Sequence, residues 1–201
     1  MTTASNTSFP TQGGRHSQRI GADFEKFLEE SHRGYMQCGI ACIDKIPHCT
    51  VPTGKRDPVT NAPFFRLAGR PPYDYHGYFL PDSGIGGIAI AMEAKSTTRE
   101  MSRLPIIARG KKGFGIEQHQ LDALADAEQA GCMAAIVYQV QDKILVCPHP
   151  LRLLKMIKLD RRKSIPLAPT WWLEAPVGQF GNTPHCGVDW ISCCDDPPER
   201  Q

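Results

Sequence analysis

Apolar residues recur along the chain with two different periods, which together predict an alternation of helices and strands. Ile20, Phe24 and Leu28 recur every four positions, as on the buried face of an amphipathic helix. We therefore predict a helix over 16–31 and expect Gly34 to end it, because glycine commonly follows the last turn of a helix.

The segment 88–95 shows the other period, a strict alternation that predicts a strand. Its isoleucines and Met92 point to one face, whereas two alanines, Glu93 and Lys95 point to the other. Residues i and i+2 of a strand lie about 6–7 Å apart. The predicted strand therefore holds a carboxylate and an amine beside each other, over a floor of small side chains.

The remaining patterns predict an α/β layered domain, in which helices flank a mixed central sheet. Two long polar stretches, 47–72 and 96–115, interrupt the elements, and the prolines of the first exclude a regular helix. We divide the chain into a flexible arm (1–15), a domain (16–175) and a C-terminal segment (176–201) whose structure the pattern does not give. Further strands are predicted over 38–46, 73–79, 132–140 and 143–147, further helices over 116–130 and 150–158, and a last strand or docking anchor at 171–173.

The composition is that of an ordinary folded protein and excludes a fully disordered chain. Of the 201 residues, 41% are hydrophobic and 22% are charged. The net charge of only +2 does not identify a partner, but basic residues cluster at 99–112 and 152–163, which favours contact with a polyanion. The N-terminal residues lack the apolar stretch of a secretory signal, so we expect a cytoplasmic protein.

Eight cysteines require an interpretation, and buried free thiols are the expected one in a cytoplasmic protein. None of them has the CxxC spacing of a zinc ribbon. Two groups could still hold a metal: Cys38, Cys42, His48 and Cys49, or His185, Cys186, Cys193 and Cys194.

Asp74 adds a second carboxylate to the pair on the predicted strand. It precedes the strand that we expect to form a hairpin with 88–95, so it can approach Glu93. Two close carboxylates with a few waters suit Mg²⁺, which can bind a phosphate oxygen and lower the pKa of a bound water. The simpler interpretation of Glu93 and Lys95 is an ion pair on the surface of a strand.

These residues resemble the PD-(D/E)XK nuclease motif, and the chain from about 19 to 150 is similar to the RecU-type Holliday junction resolvases. The likeness rests on the order and spacing of five short motifs rather than on any one of them. They are Gly21-Ala22-Asp23-Phe24-Glu25, Ala41-Cys42-Ile43-Asp44-Lys45-Ile46-Pro47, Tyr73-Asp74-Tyr75-His76-Gly77, Glu93-Ala94-Lys95-Ser96-Thr97 and His119-Gln120.

The resemblance implies a restriction-endonuclease-like core and a metal-dependent endonuclease that makes paired symmetric nicks in four-way DNA junctions. It implies a homodimer in a bacterial or phage-infected cell, Mg²⁺ as cofactor with Mn²⁺ able to replace it, and a stalk-like excursion over 47–72. Asp74, Glu93 and Glu25 would bind the metal, and Lys95 and Gln120 would complete the catalytic set. The DNA-binding residues would be Lys55, Arg56, Arg66, Arg70, Arg103, Arg109, Lys111 and Lys112.

Two other functions remain compatible with the residues. One is a restriction- or repair-type nuclease of the same superfamily that acts on duplex or flap DNA. The other is a nucleic-acid-binding module that has lost its metal, although the complete set of Asp74, Glu93 and Lys95 argues against it.

Overall fold

A computed structural model describes residues 12–47, 50–56, 58–67, 71–81, 86–108, 113–180 and 183–195. These residues form four helices and thirteen strands. The helices are α1 (Gln12–Gln37), α2 (Gln118–Gln129), α3 (Pro150–Asp160) and α4 (Ser192–Asp195). The strands are β1 (Ala41–Lys45), β2 (Thr50–Arg56), β3 (Pro63–Leu67), β4 (Tyr75–Phe79), β5 (Ile88–Thr97), β6 (Arg103–Ile107), β7 (Ile116–Glu117), β8 (Met133–Val140), β9 (Lys143–Cys147), β10 (Ser164–Pro166), β11 (Leu173–Glu174), β12 (Val177–Phe180) and β13 (Thr183–Val188).

A six-stranded sheet in the order β1-β4-β5-β8-β9-β11 forms the centre of the fold. Strands β5 and β8 run parallel, and the other neighbouring pairs run antiparallel. Helix α1 packs on one face of this sheet, and α2 and α3 pack on the other. The predicted mixed α/β architecture with a mixed central sheet between helices is therefore confirmed.

The alternation along β5 divides the molecule into two cores, as the sequence predicts. Ile90 and Met92 pack with Phe24 and Leu28 of α1. Ala91 lies in the second core, with the apolar residues of α2 and α3. Glu93 and Lys95 therefore belong to the α2 side of the sheet, because side chains two residues apart on a strand share a face.

Helix α1 is longer than the sequence predicts at both ends. It begins at Gln12, so residues 12–15 of the predicted arm are helical, while 1–11 lie outside the described residues. It continues through Gly34 to Gln37, and Gly39 with a φ of +70° follows its end. Gly34 does not stop the helix because Tyr35, its neighbour, is fully buried and fixed by tertiary contacts.

Those contacts come from the C-terminal segment, which the sequence left unassigned and the structure places in the α1 core. The Tyr35 hydroxyl donates to Asp189 Oδ1 (2.9 Å), and Trp190 Nε1 donates to His32 Nε2 (3.3 Å). Burial lowers the pKa of His32 to about 3, so its ring is neutral and can accept this hydrogen bond. Within the described residues, 187–193 of this segment thus pack into the α1 core.

The two long polar stretches contain strands that the sequence did not predict. The first forms an antiparallel hairpin of β2 and β3, separate from the central sheet. The second contains β6, which pairs with β10 and β7 in a small three-stranded sheet. The sequence pattern does not indicate these strands, because they are rich in prolines and basic residues. In addition, β6 pairs with the distant β10, and the register of β2 and β3 is irregular.

The packing of the C-terminal segment predicts a contrast between two glycine substitutions. A Cβ at Gly187 would lie 2.4 Å from Ser31 Oγ and 2.7 Å from its Cα, whereas a Cβ at Gly21 in α1 meets nothing within 4 Å. We expect Gly187→Ala to destabilise the fold by about 1–3 kcal/mol and Gly21→Ala to stabilise it by about 0.5–1 kcal/mol. Thermal unfolding followed by circular dichroism measures both. Equal melting temperatures for the two variants would contradict this packing.

The described cysteines are free thiols, as expected, but the expectation that they are buried holds only for Cys147 and Cys193. Cys38 is exposed, and the other three are partly buried, namely Cys42, Cys132 and Cys194. His48, Cys49 and the side chains of His185 and Cys186 lie outside the described residues, so the two possible zinc groups stay untested. A search of the helices in the described part of the chain finds none with the length and apolar character needed to span a membrane.

Candidate active site

The centre of the candidate site is Glu93, whose side chain has no exposed surface. Its Oε1 accepts hydrogen bonds from Lys95 Nζ, on the same strand, and from Gln120 Nε2 of α2. A surface ion pair between Glu93 and Lys95 is therefore wrong, because the carboxylate is enclosed between β5 and α2. The lysine, with 20% of its side chain exposed, forms the side of the site that faces solvent.

Two hydrogen bonds of Gln120 explain why a polar side chain lies within the apolar stripe of α2. Its Oε1 accepts the backbone N–H of Glu117 (3.0 Å) at the start of the helix, and its amide nitrogen donates to Glu93. A single amide thus fixes the first turn of α2 and holds one oxygen of the buried carboxylate. Gln120 is accordingly a positioning residue for Glu93.

Asp74 lies next to Glu93 on the neighbouring strand. The register pairs Tyr75 with Met92, which places Asp74, one residue before β4, opposite Glu93. Asp74 Oδ2 accepts the backbone N–H of Ala94 (3.1 Å), and the Asp74 N–H donates to the Met92 carbonyl (3.1 Å). These two hydrogen bonds hold the Asp74 carboxylate against the strand that carries Glu93.

The second oxygen of Glu93 makes the site unusual. Glu93 Oε2 is buried and meets no N–H or O–H donor among the described residues, but the Asp74 carboxyl lies within hydrogen-bonding reach of Glu93 once one of the two acids holds a proton. Burial is the main cause that raises the pKa of Glu93, to about 8; the charge of Asp74 raises it further, and Lys95 opposes the shift. Such a carboxylate beside another requires a proton or a cation between them, because an unpaired buried charge is costly.

Further carboxylates lie on the α1 side of the same strands, where Tyr75 packs with the α1 core. Burial raises the pKa of Tyr75, and the negative charges of Glu25, Glu29, Asp74 and Glu93 raise it further. Four acids thus lie within electrostatic reach of one phenol, accompanied by Lys45 and Lys95. This excess of negative charge attracts a divalent cation.

Glu25, the predicted third metal ligand, lies on α1 and is bound to Lys45 of β1. Lys45 Nζ donates to Glu25 Oε2 (2.5 Å) and lies 3.9 Å from Glu29 Oε1. Burial lowers the pKa of Lys45, but the hydrogen bond and charge of Glu25, with the charges of Glu29 and Asp74, raise it overall. Lys45 is thus paired with the acids of α1, and Asp74 acts on it only through its charge.

The donor set at the site fits a hard divalent cation. Asp74 and Glu93 supply carboxylate oxygens, one of them a buried oxygen that meets no N–H or O–H donor among the described residues, and Mg²⁺ commonly takes one or two carboxylates and completes its shell with waters and phosphate oxygens. Within the described residues, no three side chains of His, Cys, Asp or Glu form a group that could hold a metal. A role for Glu25 as a ligand stays a prediction.

Lys45 has a charged contact near the site that the sequence did not predict. It pairs with Tyr75 in the register of β1 and β4, one position from Asp74. The only sequence signal was its place in the second resolvase-like motif, because its contact with Glu25, 20 positions away, depends on how α1 packs against β1.

Of the eight predicted DNA-binding residues, the structure describes the side chains of three. Lys55 and Arg56 are exposed on β2, where Arg56 Nη1 donates to the Asn61 carbonyl (3.1 Å). Arg103 is exposed at the start of β6. Arg66 lies in β3 opposite Val51, but its side chain is outside the described residues, as are Arg70, Arg109, Lys111 and Lys112.

Comparison with known proteins does not place the chain in a family. No protein-family model matches it, and no curated protein matches it. Any function assigned to the site therefore rests on its residues, their geometry and the likeness of the short motifs.

Proposed function

We propose that this protein is a Holliday junction resolvase, a metal-dependent endonuclease with a restriction-endonuclease-like core. The observation that carries the proposal is the close pair of carboxyls, Asp74 and the buried Glu93, with Lys95 two residues from Glu93 on the same strand. One oxygen of Glu93 meets no N–H or O–H donor among the described residues. A purely structural carboxylate would be expected to have all its buried oxygens hydrogen-bonded.

Each residue has a distinct role in this proposal. Asp74 and Glu93 would hold Mg²⁺ or Mn²⁺, and the ion would bind a phosphate oxygen and lower the pKa of a bound water. Lys95, at the solvent side of Glu93, would stabilise the charge that accumulates on the phosphate oxygens. Gln120 keeps Glu93 in place. Hydrolysis adds water across the P–O3′ bond, leaving a 5′-phosphate and a 3′-hydroxyl.

The Glu25 side chain has a conditional role. As a third metal ligand it would have to give up its ion pair with Lys45 (2.5 Å).

The symmetry of a four-way junction and the basic residues of the β2–β3 hairpin support the proposed substrate. A four-way junction has two-fold symmetry, so paired nicks require two active sites related in the same way, as in a homodimer. The β2–β3 hairpin stands apart from the central sheet and carries Lys55 and Arg56, which suits a stalk that contacts backbone phosphates. Arg66, Arg70, Arg103, Arg109, Lys111 and Lys112 complete the proposed DNA contacts.

The experiment that tests the proposal compares three DNA substrates. In Mg²⁺, we expect two symmetric nicks in a synthetic mobile four-way junction and weaker cutting of a flap and a linear duplex. Binding should weaken steeply with salt, because it rests on phosphate contacts. Equal or preferred cutting of the duplex or flap would favour the restriction- or repair-type nuclease. Binding without cutting in Mg²⁺ and Mn²⁺ would favour the metal-free binding module.

A further inference from the structure

A cavity opens directly beside the candidate site, at the end of β5. Its volume is about 730 Å³, which lies within the range of about 300–1,000 Å³ for sites that bind small molecules. Its walls include Lys95, Ser96 and Thr97. Strand β4 pairs with β5 only as far as Met92, so the cavity occupies the place beside β5 where that pairing has ended.

The cavity combines an aromatic surface with positive charge. The ring of Phe114 is 41% exposed and forms part of the wall, and Arg99, which is exposed, lies on the same lining. Lys95 joins the cavity to the carboxylates of the site. Aromatic rings next to cations are the usual surface for the bases and phosphates of an unpaired strand.

Phe114 is held in place rather than carried on a free loop. Its ring packs against Tyr138 with 6.0 Å between ring centroids. The following Gly115 has a φ of +140°, and a Cβ at that position would lie 2.2 Å from the Pro105 carbonyl oxygen. The backbone beside Phe114 is therefore pressed against β6, which fixes the position of the exposed ring.

We propose that this cavity binds the nucleotide next to the scissile phosphate, with its base stacked on Phe114 and its outer phosphate near Arg99. The inference rests on the proposed function, since it takes Lys95 to mark the place of the scissile phosphate. The occupant is an unstacked nucleotide at the branch point of the junction. A base in a continuous duplex would not be free to enter, so the cavity would select for branched DNA.

The test is a double-mutant cycle that measures binding in Ca²⁺, so that no cleavage is needed. Wild type and Phe114→Ala are each combined with an intact junction and with junctions that carry one abasic site, moved through the positions around the branch point. If the base stacks on Phe114, one abasic position should weaken wild-type binding about tenfold and Phe114→Ala binding hardly at all.

Matched variants distinguish stacking of a base on the Phe114 ring from apolar contact with any side chain at that position. Phe114→Tyr keeps the ring and should retain the coupling, whereas Phe114→Leu keeps an apolar side chain and should lose it. Leu159→Ala removes another exposed apolar side chain, 84% exposed on α3, and should behave as wild type. Arg99→Ala should reduce the salt dependence of binding by about one phosphate contact, while Arg33→Ala, on the exposed side of α1, should not.

The outcomes distinguish this inference from the proposed function. Symmetric cutting by wild type without any coupling between Phe114 and an abasic position would overturn the nucleotide subsite and leave the nuclease standing. Coupling without cutting in Mg²⁺ or Mn²⁺ would support the subsite and overturn the hydrolytic function. Coupling retained by Phe114→Leu would also overturn the subsite, because an aliphatic side chain has no ring on which a base can stack.

Discussion

Glu93→Gln and Asp74→Asn are each expected to abolish Mg²⁺-dependent cutting of a four-way junction while junction binding in Ca²⁺ survives. Loss of groups that merely orient metal ligands already costs about 10–100-fold, so loss of a ligand should cost at least about 100-fold. Glutamine can still accept from Lys95 Nζ through its oxygen, and it can donate to Asp74 through its nitrogen. The variant therefore keeps the shape of the site and removes its charge.

Two surface variants serve as controls for this experiment. Glu174→Gln alters a carboxylate that is 58% exposed and pairs with Lys143, and Asp142→Asn alters an exposed turn. Both should cut at the wild-type rate, as measured by gel assay under single-turnover conditions. Full activity of Glu93→Gln or Asp74→Asn would remove the basis for a carboxylate-bound metal.

The stability of the metal-free protein should decrease as pH rises, because of Glu93. The pKa of Glu93 is about 8 in the folded state, against 4.5 for an ordinary glutamate, so between these values the folded state holds a proton that the unfolded state has released. The contribution of Glu93 to the free energy of unfolding is therefore greatest below pH 4.5, and this contribution is lost as the pH rises through 8. At about 1.4 kcal/mol per pKa unit, the loss is on the order of a few kcal/mol.

Urea unfolding of wild type and Glu93→Gln over this pH range measures the contribution of the one group. The variant should be the more stable protein above pH 8, and the difference should vanish near pH 4.5, since other titrating groups are common to both. Mg²⁺ should restore stability to wild type at pH 8 and have little effect on the variant. Parallel pH profiles for the two proteins would show that Glu93 ionises as in solution.

The arrangement around β5 could be predicted from the sequence because it depends on local periodicity. Alternation over 88–95 gave the faces of the strand correctly, and the resemblance grouped Gln120 with Glu93, to which it donates a hydrogen bond. The register that places Asp74 opposite Glu93 followed from the expected hairpin. Each of these features connects neighbouring elements, for which the pattern of side chains and the turn suffice.

What could not be predicted depends on distant contacts. The glycine at 34 favours the end of a helix, yet burial of Tyr35 by Val188 and Asp189 carries α1 onward. Lys45 reads as the end of an edge strand, although it neutralises Glu25. The cysteine- and proline-rich residues after 175 have no clear period, and those that the structure describes are ordered by the pairing of β12 with β13 and by packing against α1. Propensity is a weak guide where such contacts decide.

The contact of Tyr35 with Asp189 joins residues 154 positions apart in the chain. During synthesis, α1 therefore leaves the ribosome before the residues that bury it. While the ribosome extends the polypeptide, α1 has emerged long before the segment that completes its burial. The apolar surface of α1 must then stay exposed or be shielded by a chaperone until translation reaches Trp190. Because such distant closure is slow, the final packing of α1 is expected to lag behind its synthesis.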